Sequence, residues 1–275
     1  MKCVGINLYS VNIGVDDMLR NKDEQALLKM IDDQILYDID YIGINSGVRL
    51  EEEMEDVLWM VRVIQDHYSY PLVIDTLNAN VMREALKIHR HGKPIMNSTS
   101  GDDYRMHSYF PLAKEFGCSV IALTMDEAGI PTGVPERLRV AHKLVETGAG
   151  YGLKPEDIYL DPCAFAVSVD SNNCVDVCSA IAALKKEFPD NPVSICTTNM
   201  SYGLPEREIL DIVGMSMAVA SGLDMFLTEI TPAVGAALQG LKLMNGQDDY
   251  SEQYIKRYRE KRLDIFSKKD QIRDD

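Results

Sequence analysis

Eight times along the chain, a short run of β-branched or aliphatic residues gives way to a longer stretch with helical periodicity. The runs occupy 3–8, 41–45, 72–76, 94–97, 120–125, 158–162, 193–198 and 225–230. Most are almost continuously apolar, as parallel strands are when both faces are buried. Between them, 23–37 sets Leu27, Met30, Ile31, Gln34 and Ile35 at three- and four-residue steps. The stretch 50–67 repeats this with Met54, Val57, Leu58, Val61 and Ile64. The stretches 135–148 and 204–220 behave alike, with Pro135 and Pro205 near helix starts, where a missing N–H costs little.

Over 275 residues, eight strand–helix units come to about 34 residues each, the arithmetic of a (β/α)8 TIM barrel. A doubly wound open sheet is the competing arrangement, and it favours a Gly-rich turn after the first strand. Here that turn reads Gly5-Ile6-Asn7-Leu8, without G-x-G-x-x-G, so the barrel is expected. It should span 1–246, followed over 247–275 by a polar C-terminal helix or tail carrying Asp248, Asp249, Lys256, Arg257, Arg259 and Glu260.

Charge and absences narrow the function. Lys and Arg number 28 against 43 Asp and Glu, a net −15, which opposes a nucleic-acid-binding role, since phosphate backbones call for basic surfaces. The start shows no secretory signal, and no apolar stretch reaches membrane-spanning length, so a cytoplasmic protein with no membrane partner is expected. The six cysteines are scattered and read as free thiols.

In a barrel of this kind the chemistry sits at the carboxyl ends of the strands. Those ends read Ile44-Asn45-Ser46-Gly47, Ile74-Asp75-Thr76, Met96-Asn97-Ser98-Thr99, Leu160-Asp161-Pro162, Thr198-Asn199-Met200-Ser201, and Glu229 on the last strand. Buried amides and carboxylates need partners, and two Asp with three Asn around one mouth are expected to share a ligand rather than serve as separate helix caps. With no Lys, His or Cys at these positions, Schiff-base chemistry and a His-ligated metal are both disfavoured. A planar, donor-rich heterocycle fits instead, because a carboxylate accepts two parallel N–H bonds and an amide serves a donor–acceptor pair.

Several motifs at these ends resemble those of methyltetrahydrofolate:corrinoid methyltransferases. They are Ile74-Asp75-Thr76, Met96-Asn97-Ser98-Thr99, Leu160-Asp161-Pro162 and Asn199-Met200-Ser201-Tyr202-Gly203-Leu204-Pro205-Glu206-Arg207, with Ala122-Leu123-Thr124-Met125 and Gly129-Ile130-Pro131 nearby. The similarity keeps its order and spacing from the first strand to about Asn245. The resemblance implies a pterin-binding barrel like that of dihydropteroate synthase, a homodimer, and methyl transfer between N5 of tetrahydrofolate and a corrinoid (cobalamin) carried by a separate corrinoid protein. It further implies that Asp75, Asn97 and Asp161 grip the pterin and that Asn199 bonds near N5. Ser201 belongs to the same motif and is expected to touch the folate. Arg207 is expected either to touch it or to form a salt bridge at its helix start.

Two positions depart from that family. A Gly-Glu-Arg-type turn is replaced by Gly5-Ile6-Asn7, and an Asp-x-Asn by Gly43-Ile44-Asn45, so acids are missing at Ile6 and Gly43. These departures favour transfer from methylcorrinoid to tetrahydrofolate, as in demethylation pathways, over transfer from 5-methyltetrahydrofolate to a corrinoid iron–sulfur protein. Dihydropteroate synthase is weakened by the absence of a Lys at Thr197-Thr198-Asn199 and of a pyrophosphate-binding loop after the first strand. A non-catalytic folate-binding or corrinoid-docking subunit has no need of Asn199.

Other polar groups take plainer readings. His89-Arg90-His91 falls at a helix end and reads as solvated surface, so no metal is expected. Cys174 and Cys178 read as small buried residues, and Glu51-Glu52-Glu53 as capping or solvating a helix start, where negative charge is favourable. Met96, Met125 and Met200 read as packing, while Cys163 and Cys196 approach the mouth without a His to activate them.

Overall fold

The computed structural model of the chain describes residues 1–12 and 14–263. Strands β1 (Lys2–Tyr9), β2 (Tyr41–Asn45), β3 (Leu72–Asp75), β4 (Ile95–Ser100), β5 (Ser119–Leu123), β6 (Ile158–Asp161), β7 (Ser194–Cys196) and β8 (Met225–Thr228) are all parallel, in the order β6-β5-β4-β3-β2-β1-β8-β7. The ring closes between β6 and β7 through a single bridge, Leu160 with Val193, and Leu160 N–H donates to the Pro192 carbonyl at 2.8 Å. The (β/α)8 barrel expected from the strand–helix repeat is therefore what the chain forms.

The surrounding helices are α1 (Val15–Asn21), α2 (Glu24–Ile35), α3 (Glu53–His67), α4 (Ala79–Ile88), α5 (Asp103–Phe116), α6 (Val134–Gly150), α7 (Asn173–Glu187), α8 (Arg207–Ala220), α9 (Pro232–Met244) and α10 (Glu252–Arg259). Helix α1 is an addition that the periodicity did not reveal; seven residues are too few to establish a helical period. The expected strand at 193–198 is shorter, because Thr197–Asn199 tighten into a 3-10 turn. Within the polar C-terminal segment, α10 docks through an ion pair of Arg257 with Asp38, and residues 264–275 lie outside the described residues.

Strand alternation splits the core in two. Outward side chains meet the helices in one large cluster that includes Leu8, Ile42, Ile74, Met96 and Phe226. Inward ones fill the barrel: Val4, Ile6, Tyr41, Val73, Ile95, Ile121, Tyr159, Met225 and Leu227. At the amino-terminal end, Lys2 Nζ donates to Tyr159 Oη (3.1 Å) and Tyr41 Oη (3.4 Å), giving those two inward phenols partners at the base of the barrel.

On one flank, Asp56 of α3 is fully buried. It accepts from Arg49 Nε at 2.6 Å, Ser46 Oγ at 3.1 Å and the Lys22 ammonium, clamping the β2–α3 loop beside the mouth. A buried carboxylate tolerates such a position only when its charge is paired and its lone pairs are occupied.

Candidate functional site

Two residues beyond each inward apolar residue the next side chain also points inward, and at the carboxyl ends several of these are polar. Val73 is followed by Asp75, Ile95 by Asn97, Tyr159 by Asp161 and Leu227 by Glu229. Register aligns Asn45 with Asp75 and Asp75 with Asn97, so the polar positions share one level. Asp75, Asn97, Asp161 and Glu229 line a cavity of about 620 Å³ floored by Ile6, Ile121 and Leu227.

Of the six expected site residues, Asp75, Asn97, Asp161, Asn199 and Arg207 line this cavity. Ser201 does not. It is fully buried below the rim, where its hydroxyl donates to the Thr198 carbonyl (3.3 Å) and accepts from Arg207 Nε (3.1 Å), so it serves the site by holding Arg207. Arg207 Nη2 also donates to the Thr198 carbonyl at 2.8 Å, and its guanidinium lies 5.9 Å from the Tyr202 ring. Among the described residues Arg207 forms no salt bridge, which leaves its charge facing the mouth.

Asp161 is 6% exposed, and Oδ1 accepts from the Cys163 N–H at 2.8 Å. Burial pushes its carboxyl up to about 7, with that single backbone donor opposing. Asp75 is pushed up to about 6, first by burial and also by Glu53, while the nearby Tyr9 and Asn45, and Asn97 Nδ2 donating to Oδ2 at 2.9 Å, hold it down. Each carboxylate thus accepts one hydrogen bond among the described residues, from the Cys163 N–H for Asp161 and from Asn97 Nδ2 for Asp75. A ligand that brings N–H groups supplies what the folded chain withholds.

Asn199 stands on the rim in the 3-10 turn, exposed, and among the described residues its side chain has no hydrogen-bond partner. Asn45, by contrast, is used within the protein. It accepts from Gly47 N–H (2.9 Å) and Ser10 Oγ (3.0 Å), donates to the Asp75 carbonyl (3.2 Å), and does not line the main cavity. A second lobe of about 430 Å³ continues from the mouth, sharing Val11, Asn12, Arg207 and Glu229 with the first.

Several lining residues escaped the sequence reading. Tyr9 and Ser98 reach the cavity through irregular pairing in β1 and β4, where the register slips between Gly5 and Leu8 and between Asn97 and Thr99. Glu53, expected to cap or solvate a helix start, is 7% exposed and accepts from Thr76 Oγ1 at 2.6 Å, directly behind Asp75. In the His89-Arg90-His91 turn Arg90 is exposed, as expected, while His89 and His91 are half-buried. Gln65 Oε1 accepts from the backbone N–H of Arg90 and of His91, each at 2.8 Å, and burial pushes His89 down to about 4. Among the described residues no cluster of three or more His, Cys, Asp or Glu could hold a metal ion, and the six cysteines are free.

The site is thus an eight-stranded barrel whose carboxyl-end cavity gathers two buried carboxylates and an amide. The chain belongs to the pterin-binding enzyme family, whose model matches residues 38–229. It is 25% identical to a methylcorrinoid:tetrahydrofolate methyltransferase of Eubacterium limosum, over 96% of this chain and 98% of that one. It is also 25% identical to a methionine synthase of Mycobacterium tuberculosis, over 68% of this chain but only 16% of that much longer protein. Among solved structures it resembles dihydropteroate synthases. One from Xanthomonas albilineans matches with a TM-score of 0.70 and 18% identity over 90% of this chain and 93% of that one. One from Coxiella burnetii matches with a TM-score of 0.67 and 17% identity, over 90% and 94%. At those identities the likeness is one of fold. Among the described residues no helix is long and apolar enough to cross a membrane.

Proposed function

We propose that this chain transfers a methyl group from a methylcorrinoid, carried by a separate protein, to N5 of tetrahydrofolate. The observation that carries the reading is the unpartnered Asn199 amide on the rim of an acceptor-lined pterin cavity. The end-to-end similarity to a methylcorrinoid:tetrahydrofolate methyltransferase supports it.

In this reading Asp161 and Asp75 accept the N–H groups of the pterin edge, and binding draws both carboxyls into their ionised form. Asn97 completes that wall. Asn199 turns its amide toward N5, orienting the lone pair that attacks and following the change in protonation by switching between its carbonyl and NH2 groups. The corrinoid supplies the methyl group: its carbon–cobalt bond breaks with both electrons left on cobalt as the N5 lone pair forms the new bond, and the N5 proton leaves to solvent. Arg207, set by Ser201 and the Thr198 carbonyl, offers its charge to the anionic tail of the folate.

We further propose a homodimer, supported by the exposed apolar side chains Ile209, Val213 and Met217 that recur every four residues along α8. Sedimentation of the purified chain tests this. The activity itself is tested by anaerobic incubation with methylcobalamin and tetrahydrofolate, following cob(I)alamin absorbance and 5-methyltetrahydrofolate together. Equimolar appearance of both supports the reading. Tight folate binding with no transfer favours a non-catalytic folate-binding subunit.

A further inference from the structure

Behind the cavity wall, α6 buries a cation that no acid touches. Arg137 is the fourth residue of that helix and 4% exposed, at the end where the helix dipole is already positive. Among the described residues it forms no salt bridge, and its Nη1 has no hydrogen-bond partner. Asp176 on α7 faces it but is exposed and beyond salt-bridge distance. A charge held this way needs compensation from elsewhere in the fold.

The guanidinium makes one hydrogen bond among the described residues, from Nε to the Pro162 carbonyl at 2.9 Å. The same peptide group reaches the cavity at its other end, where the Cys163 N–H donates to Asp161 Oδ1 at 2.8 Å. This peptide is trans, so its C=O and N–H point in opposite directions. Its dipole runs between the two charges, with the negative end on Arg137 and the positive end on Asp161. Hydrogen bonds in such a series polarise one another where the dielectric is low. Cys163 holds φ at +60°, in the left-handed region that few residues other than glycine occupy, so the chain does not aim this N–H by default.

We propose that Arg137 is a positioning residue for Asp161. It holds the Pro162–Cys163 peptide so that the N–H meets the carboxylate, and its charge, passed through that peptide, favours the ionised form that accepts a ligand's N–H groups. The ligand half of this rests on the folate reading above; the link between Arg137 and Asp161 does not.

Asp161 is faced by Cys163 from the loop after β6 and by Cys196 from β7, while Asp75, Arg207 and Glu229 line the same cavity. Arg137 is the cation bonded to its peptide. Without that charge the carboxyl should take up a proton at higher pH.

The test is a ¹³C NMR titration of the aspartate carboxyls in the free protein, with Asp161→Asn identifying the signal. It compares wild type with Arg137→Gln, Arg137→Met and Arg137→Lys, and melting curves show which variants fold. The wild-type signal should titrate at about 7. Losing a charge one peptide away should raise that midpoint by about one pH unit in both neutral variants, whereas Arg137→Lys should stay near wild type. Tetrahydrofolate should then bind the neutral variants about fivefold more weakly at pH 7 and almost as wild type at pH 9. A midpoint that does not move in the neutral variants, or moves as far in Arg137→Lys, overturns the inference and leaves the folate reading standing. A midpoint that moves while affinity falls equally at both pH values, or not at all, overturns its ligand half. A wild type that binds no tetrahydrofolate at either pH overturns the folate reading, and a shifted midpoint then leaves the link between Arg137 and Asp161 in place.

Discussion

Acidifying the solution should weaken folate binding through Asp161, and the size of the effect follows from the site. Its carboxyl sits at about 7 in the folded chain because burial opposes its charge. If the pterin is held by the ionised form, the apparent affinity scales with the ionised fraction, about nine-tenths at pH 8 and about one-tenth at pH 6. Asp75, at about 6, adds roughly a further twofold. Tetrahydrofolate should therefore bind roughly 20-fold more weakly at pH 6 than at pH 8, with between one and two protons (about 1.4) released per ligand at pH 6. Calorimetric titration in buffers of different ionisation enthalpy measures both quantities.

Asp161→Asn removes the charge and sets an NH2 against a ligand donor. Charged hydrogen bonds are worth about 1.5–3 kcal/mol, so affinity at pH 8 should fall roughly 10²-fold, and the pH dependence should shrink to the part due to Asp75. The same substitution should stabilise the free protein. The folded-state value lies above the 3.8 of an ordinary Asp, so the folded chain holds the proton more tightly, and stability declines as pH rises from about 4 to 7. At about 1.36 kcal/mol per pH unit, that is up to about 4 kcal/mol recovered by Asn at pH 8. Affinity that is flat with pH, that rises on acidification, or that keeps its full pH dependence in Asp161→Asn would refute the reasoning.

Three further outcomes follow from named contacts. Asn199→Ala should lower single-turnover methyl transfer by about 10²-fold, the usual scale for a preorganised transition-state contact, while tetrahydrofolate affinity stays within about threefold. Ser201→Ala should release Arg207 Nε and weaken binding of folates several-fold (about 1 kcal/mol), with little effect on a pterin lacking the glutamate tail; equilibrium dialysis with both ligands separates the two. Asp56→Ala leaves Arg49 without its main counter-charge and should cost about 3–5 kcal/mol in urea denaturation.

What the sequence discloses and what it hides divide along one physical line. Parallel strands buried on both faces announce themselves by continuous apolar runs, so the eightfold repeat and the barrel were legible. So were Asp75, Asn97 and Asp161, because each polar residue follows an apolar run and strand parity carries it to the interior. Tyr9 was not, since a one-residue slip in β1 reverses that parity and nothing local marks it; only the glycine beside it, Gly43, is a trace of the ring's presence. Ser201 and Asn199 are both hydrogen-bonding residues of one motif, yet Asn199 ends the 3-10 turn on the rim and Ser201 lies buried under it. Glu53 looked like part of a capped or solvated helix start among three glutamates. Thr76, 23 residues away in sequence, is what makes its burial tolerable. Local patterns report periods, whereas pairing slips and distant partners are decided by the closed ring.

The central claim is that this cavity brings N5 of tetrahydrofolate to a corrinoid-borne methyl group. Transfer from ¹³C-methylcobalamin, followed by NMR under single-turnover conditions, tests it most directly. The account predicts loss of the carbon–cobalt signal matched one for one by an N5-methyl signal in wild type, slowed in Asn199→Ala at saturating tetrahydrofolate and restored toward wild type by excess folate in Asp161→Asn. A label that stays on cobalt while tetrahydrofolate is bound, or that moves at the wild-type rate in Asn199→Ala, contradicts it.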